Sequence, residues 1–227
     1  MISHEHKCIF IHIPKTAGSS IKECLFKGKH FNWRVADYNY LYGWCPKRRL
    51  HLQHATSKQL LETELITEHQ WNTYYKFAFI RNPWDRAYSD YIWLTNDCGI
   101  KDSFYNFILK QGKFKELLRN NETMMYRGDH LCLQSSFFDK EGEFSLDFVG
   151  KFENFKGDFE SVKKYLKITD DKEYFEKKSK QRLQHYSLFY TKTKQELIER
   201  VYFDDIINLG YSFKDQKKGI FKLKNFF

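Results

Sequence analysis

The sequence predicts an α/β fold, a central parallel sheet flanked by helices, on three observations. Three short runs rich in β-branched and aromatic residues recur along the chain. A helix start follows each of them. The 227 residues suffice for one such domain, spanning 1–227, and are short for two. Strands that alternate with helices pair in parallel, and the helices cover the sheet.

The elements follow in order. Cys8-Ile9-Phe10-Ile11-His12-Ile13 is bounded by Pro14 and reads as a buried strand, with His12 inside it as a structural residue. Pro14-Lys15-Thr16-Ala17-Gly18-Ser19-Ser20 is a tight loop. Ser19 or Ser20 then opens a helix whose Ile21, Cys24 and Leu25 share one face. Residues 30–50 are aromatic and basic without a period, which predicts loop with short strands. Thr56-Ser57-Lys58-Gln59 has the form of a capping box, with a helix through Leu60, Leu61 and Leu65 behind it. The second strand covers 75–80. Asn82-Pro83-Trp84-Asp85 then supplies an N-cap, a first-turn proline and a first-turn acid for a helix through Tyr88 and Ile92. Residues 103–118 read as helical. The third strand covers 148–152, and a helix through Phe159, Val162 and Leu166 follows. Thr193-Lys194-Gln195-Glu196 predicts one last helix, through Leu197, Val201 and Ile206, with Gly210 just past its end.

Composition narrows the function classes. Lys and Arg number 38 against 29 Asp and Glu, a formal charge of +9 that favours anionic partners. Aromatics make up 19% of the chain, enough for a compact core, and only three prolines argue against a linker. The cysteines at 8, 24, 45, 98 and 132 form no Cys-x-x-Cys pair, so no zinc or redox motif and no metal is expected. Reduced thiols fit a cytoplasmic protein. The apolar stretch before Pro14 is too short for a signal segment or a membrane span.

Two constellations carry chemistry. A small-residue loop between a strand and a helix N-terminus presents backbone N–H groups and a positive dipole end, which suits a phosphate. Lys15 adds charge, and Thr16, Ser19 and Ser20 add hydroxyls. Glycine-serine turns of purely structural use look much the same. Lys15 precedes Gly18, so the loop is not the Gly-x-x-x-x-Gly-Lys-Ser/Thr motif of magnesium nucleotide enzymes. The second constellation is Arg81 at a strand end with Ser89 in the next helix, a guanidinium and a hydroxyl that can cradle a phosphate monoester. The alternative is a plain ion pair of Arg81 with Asp85, leaving Ser89 in solvent.

Together these stretches resemble a known family. Ile9 through Ser20 closely resembles the 5′-phosphosulfate loop of carbohydrate sulfotransferases related to heparan sulfate 2-O-sulfotransferase and the chondroitin/dermatan enzymes. Phe77 through Ser89 is similar to their 3′-phosphate motif. The segments 148–154, His185-Tyr186 and Asp205-Ile206 are similar to bacterial members, in the same order along the chain. The resemblance implies a P-loop-like sheet and the donor PAPS (3′-phosphoadenosine 5′-phosphosulfate), released as PAP. It gives Lys15, Thr16, Ala17, Gly18, Ser19 and Ser20 to the 5′-phosphosulfate, Arg81 and Ser89 to the 3′-phosphate, and Arg182 to a loop closing over the nucleotide. The acceptor it implies is a hydroxyl of a glycan or other sugar-containing molecule, or a small hydroxyl acceptor, with no nucleic acid or metal involved.

Transfer to a hydroxyl needs a base. Leu50-His51-Leu52-Gln53-His54-Ala55-Thr56 offers two histidines ahead of a capped helix, and the family shows a catalytic histidine in this part of the fold. His54 is the first choice and His51 the second, with Lys15 as acid toward the bridging oxygen. A small-molecule kinase shares the phosphate loop but predicts Mg²⁺ dependence. A basic nucleic-acid-binding module predicts salt-sensitive binding without turnover.

Overall fold

The computed structural model describes residues 1–139, 141–169, 185–218 and 222–223. Strand β1 (Ile2–Ser3) turns back onto β2 (Cys8–Ile11), which leads to α1 (Gly18–Leu25). A short ribbon, β3 (Trp44–Cys45) with β4 (Leu50–His51), occupies the irregular region expected at 30–50. Helices α2 (Ser57–Glu62) and α3 (Glu68–Thr73) precede β5 (Tyr75–Ile80) and the long α4 (Pro83–Asp97). Then come α5 (Phe104–Ile108), α6 (Lys115–Arg119), β6 (Phe148–Lys151), α7 (Phe155–Tyr165), α8 (Lys192–Val201) and α9 (Phe203–Asn208).

The main sheet has the order β1-β2-β5-β6, parallel except for β1, so the mostly parallel α/β class is as expected. Its two faces follow the period of two along each strand. Phe10, Phe77 and Phe79 pack with Ile21 of α1 and Phe155, Phe159 and Val162 of α7. Ile9, Ile11, Ala78 and Ile80 point the other way, onto Leu52, Leu60, Trp71 and Phe137. A third core joins Trp84 and Leu94 of α4 to α5, α6 and α8 through Phe104, Phe107, Phe114 and Ile198.

Several boundaries differ from expectation, each for a local reason. The first strand stops at Ile11, because β5 offers its last partner there, Ala78, and His12 turns into the loop. Helix α1 starts at Gly18 behind Ala17 in the left-handed region, without a serine cap. The Thr56 capping box forms, but α2 ends at Glu62 and leaves Leu65 outside. The 103–118 helix is broken: Lys110 and Gly112 have positive φ, and Arg119 takes the carbonyls of Leu109 and Lys110. Thr191 rather than Thr193 caps α8, its hydroxyl accepting from the Lys194 N–H. The expected single helix ends at Val201, because Tyr202 leaves helical geometry before α9 begins. Gly210 does follow α9 with φ +68, the left-handed C′ residue expected there.

Buried hydrogen bonds fix the carboxyl end of β5. Asp205 accepts from the backbone N–H groups of Gln134 and Ser135 and from the Ser135 hydroxyl. Gln134 in turn bonds both the N–H and the carbonyl of Arg81 through its side chain. Asp205→Ala orphans these donors and should cost roughly 2 kcal/mol or more of unfolding free energy in urea titrations. Asp205→Asn, which keeps one acceptor, should cost less.

Candidate active site

The loop after β2 is held in a strained form. Lys15 and Ala17 both adopt positive φ, at 71° and 73°. The buried Thr16 hydroxyl closes the turn by donating to the Ile13 carbonyl at 2.7 Å. At Gly18 the backbone passes so close to the His12 ring that a Cβ would sit 1.8 Å from Nε2. No other residue fits there without moving the ring. The N–H groups of Gly18 and Ser19, first in α1, have no acceptor among the described residues. Ser19 is exposed, and Ser20 is buried beneath it.

Two guanidiniums brace this loop from below. Arg81 donates to the Lys15 carbonyl at 2.8 Å, pairs with Asp85 at 2.8 Å and lies over the Phe152 ring. Its side chain is only 4% exposed. Arg81 thus makes the ion pair that sequence reasoning left as the alternative, and Ser89 is not hydrogen-bonded to it. Arg86 reaches the Pro14 carbonyl at 3.2 Å and the carbonyls of His130 and Cys132 at 2.7–3.0 Å. It carried no expectation, although it lies inside the 77–89 stretch.

His54 stands at the end of a 3₁₀ turn (Leu52–His54), its place fixed by the Thr56 cap just beyond. Its Nδ1 makes a short hydrogen bond with Asp129, from a second 3₁₀ turn (Gly128–Leu131). A carboxylate can only accept, so Nδ1 carries the proton and Nε2 keeps its lone pair. Burial pulls the His54 pKa down against the opposing pull of Asp129, so the ring is neutral at pH 7. Burial alone would raise the Asp129 pKa. In acid, where Asp129 would take up its proton, the imidazolium and hydrogen bond of His54, with His130 and His51 beyond, instead hold it well below the usual carboxylate range. The next residue, His130, repeats the arrangement with Nδ1 2.8 Å from the buried Asp90 of α4.

His51 is engaged differently. Its Nε2 stands between the Arg127 guanidinium at 2.8 Å and the Met124 carbonyl at 3.1 Å, and its buried Nδ1 has no partner. Burial, with Arg127 and neighbouring imidazoles adding to it, lowers the His51 pKa to about 4. Of the two histidines named from sequence, only His54 keeps an open basic nitrogen.

One cleft of about 490 Å³ is lined among others by Lys15, Gly18, Ser19, His54, His130 and Arg127, whereas Arg81 and Ser89 are not among its lining residues. Lys15 lies over the Trp93 ring, 4.9 Å from its centroid, and His130 stacks on the same indole. His12, expected to be structural, also lines the cleft, edge-on to His54 with ring centroids 5.0 Å apart. Of the sequence-named loop residues, Lys15, Gly18 and Ser19 reach the cleft, whereas Thr16 is buried in the turn. Arg182 lies outside the described residues. Asp129, Asp90, His130 and Trp93 were not anticipated.

A family model described as "Sulfotransferase family" matches residues 1–212. Comparison with curated proteins and with solved structures found no significant match.

Because the loop depends on the close approach at Gly18, Gly18→Ala should cost about 1–3 kcal/mol through overpacking against His12. Combining it with His12→Ala should recover most of that loss in chemical denaturation. Equal cost in both backgrounds would mean that the ring is not the obstacle.

Proposed function

We propose that this chain, which belongs to the sulfotransferase family, moves the sulfuryl group of PAPS to a hydroxyl of a glycan or other sugar-containing acceptor, as a relative of the heparan sulfate and chondroitin/dermatan enzymes. Family membership makes it a transferase of sulfuryl groups. Donor and acceptor are the proposed part. One observation carries the reading: an oriented, neutral imidazole, His54, shares a cleft with Lys15 and the unsatisfied N–H groups at the start of α1.

Those N–H groups, the helix dipole and Lys15 fit a 5′-phosphosulfate, with Thr16, Ala17, Gly18, Ser19 and Ser20 shaping the loop around it. Arg81 and Ser89 take the 3′-phosphate end. For Arg81 this means turning a donor from Asp85 or the Lys15 carbonyl toward the nucleotide, so the guanidinium is both brace and ligand. The transfer is an in-line displacement at sulfur with little covalent work for the protein. Nε2 of His54 removes the acceptor hydroxyl proton as that oxygen bonds to sulfur. The bond from sulfur to the bridging oxygen breaks, and its electron pair leaves with PAP. Lys15 compensates the charge that grows on that oxygen. Asp129 holds His54 in the tautomer that can accept the proton and stabilises the imidazolium that forms.

Two outcomes follow. PAP without added metal should raise the melting temperature, by the equivalent of about 2.7 kcal/mol at a hundredfold excess over its dissociation constant. ATP with Mg²⁺ should do much less, and a larger shift with MgATP would favour the kinase reading. For the base, His54→Gln should lower the transfer rate roughly 10²–10⁴-fold with PAP affinity nearly unchanged. Asp129→Asn should cost about tenfold or more in rate, again without loss of PAP affinity. Near-normal turnover in His54→Gln would remove the histidine from the mechanism.

A further inference from the structure

Abstracting one hydroxyl proton needs one oriented imidazole, yet two face this cleft. Each has its Nδ1 held by a carboxylate, His54 by Asp129 and His130 by Asp90. Among the described residues neither Nε2 has a hydrogen-bond partner, and neither is sealed from solvent. Both rings line the cleft and meet edge to face, with centroids 5.2 Å apart. An imidazole with its far N–H given to a carboxylate is also the usual second shell of a metal-bound histidine, because it fixes the tautomer and raises ligand basicity. One donor atom from each of His54, Asp129 and His130 can be taken within 4.8 Å of the other two.

We propose that His54 and His130, through Nε2, form the core of a binding site for one borderline divalent cation of the Zn²⁺ type at the acceptor end of the cleft. Zn–N bonds of about 2.0–2.1 Å place tetrahedral donors about 3.4 Å apart. Two nitrogen donors with a nearby carboxylate suit Zn²⁺, whereas Mg²⁺ and Ca²⁺ ask for oxygen cages. Lys15, Lys22 and Arg127 line the same cleft and oppose a cation. Asp90 and Asp129 offset them at contact distance, one behind each imidazole. His12, whose buried Nδ1 has no partner, stands beside His54 as a further nitrogen. A cation here takes the lone pair that would accept the acceptor proton, so zinc acts as a reversible inhibitor. That consequence rests on the sulfotransferase reading; the binding itself does not.

Calorimetric titration of the chelator-treated full chain with ZnCl₂ tests it, beside a parallel titration with MgCl₂. The expected result is one saturable zinc site, no comparable magnesium binding, and the ligand-field spectrum of four-coordinate cobalt when Co²⁺ is used instead. His130→Asn should weaken zinc at least about tenfold, and Asp90→Asn by about 10–100-fold as a lost outer-shell partner. His54→Gln, which keeps a donor for Asp129, should also weaken it, so that misfolding of one variant leaves another to decide. Melting curves of each variant without metal establish that it is folded. No saturable zinc binding, or binding undiminished in folded His130→Asn and His54→Gln because it resides on surface histidines, overturns the proposal. Zinc that binds as expected while PAP fails to stabilise the chain would retain the site and remove only the inhibitory role.

Discussion

Arg86 is the interaction on which the rest of the site depends. Its guanidinium is buried in α4 and bonds the Pro14 carbonyl on one side and the carbonyls of His130 and Cys132 on the other. Among the described residues it has no carboxylate partner, so carbonyl dipoles alone meet its charge. A desolvated cation with all its contacts on backbone oxygen is costly unless those oxygens stay in place. It therefore holds the loop after β2 and the turn carrying Asp129 and His130 at a fixed separation. One half carries the open N–H groups at the start of α1; the other orients the imidazoles.

The fold supplies the frame for that bridge. Strands β2 and β5 lie side by side, so the loop after one and the helix after the other emerge at the same sheet edge, where ligands of parallel sheets sit. Asn82 caps α4 through Trp84 and Asp85, while its own N–H goes to Glu153 at the end of β6. Helix α4 consequently leaves the sheet in one direction. It presents Arg86, Asp90 and Trp93 on successive turns, three or four residues apart, with Trp93 lining the cleft and the other two buried. Asp90 and Trp93 then hold His130 by hydrogen bond and stacking.

What the sequence made legible was local. The caps at Thr56 and Asn82, the second strand and the loop between β2 and α1 depend on neighbours within a few residues, and all were readable. His54 was singled out because it precedes a helix start, a local feature too. Its orienting carboxylate was not readable, because Asp129 lies 75 residues away in a turn without a period. The same holds for Asp90 and His130, 40 residues apart. His12 was placed inside the strand because a strand pattern does not reveal where pairing stops, and the strand ends at Ile11. The cap expected at Thr193 falls instead on Thr191, two residues earlier, whose hydroxyl accepts from the Lys194 N–H.

In the proposed function a sulfuryl group passes from nucleotide to hydroxyl in the cleft. Single-turnover incubation with sulfur-labelled PAPS and a panel of glycans, without metal, tests this most directly. Label should appear on a glycan with one PAP released per sulfuryl group transferred. Label that stays on PAPS across the panel, while the γ-phosphate of MgATP moves to an acceptor, would contradict it.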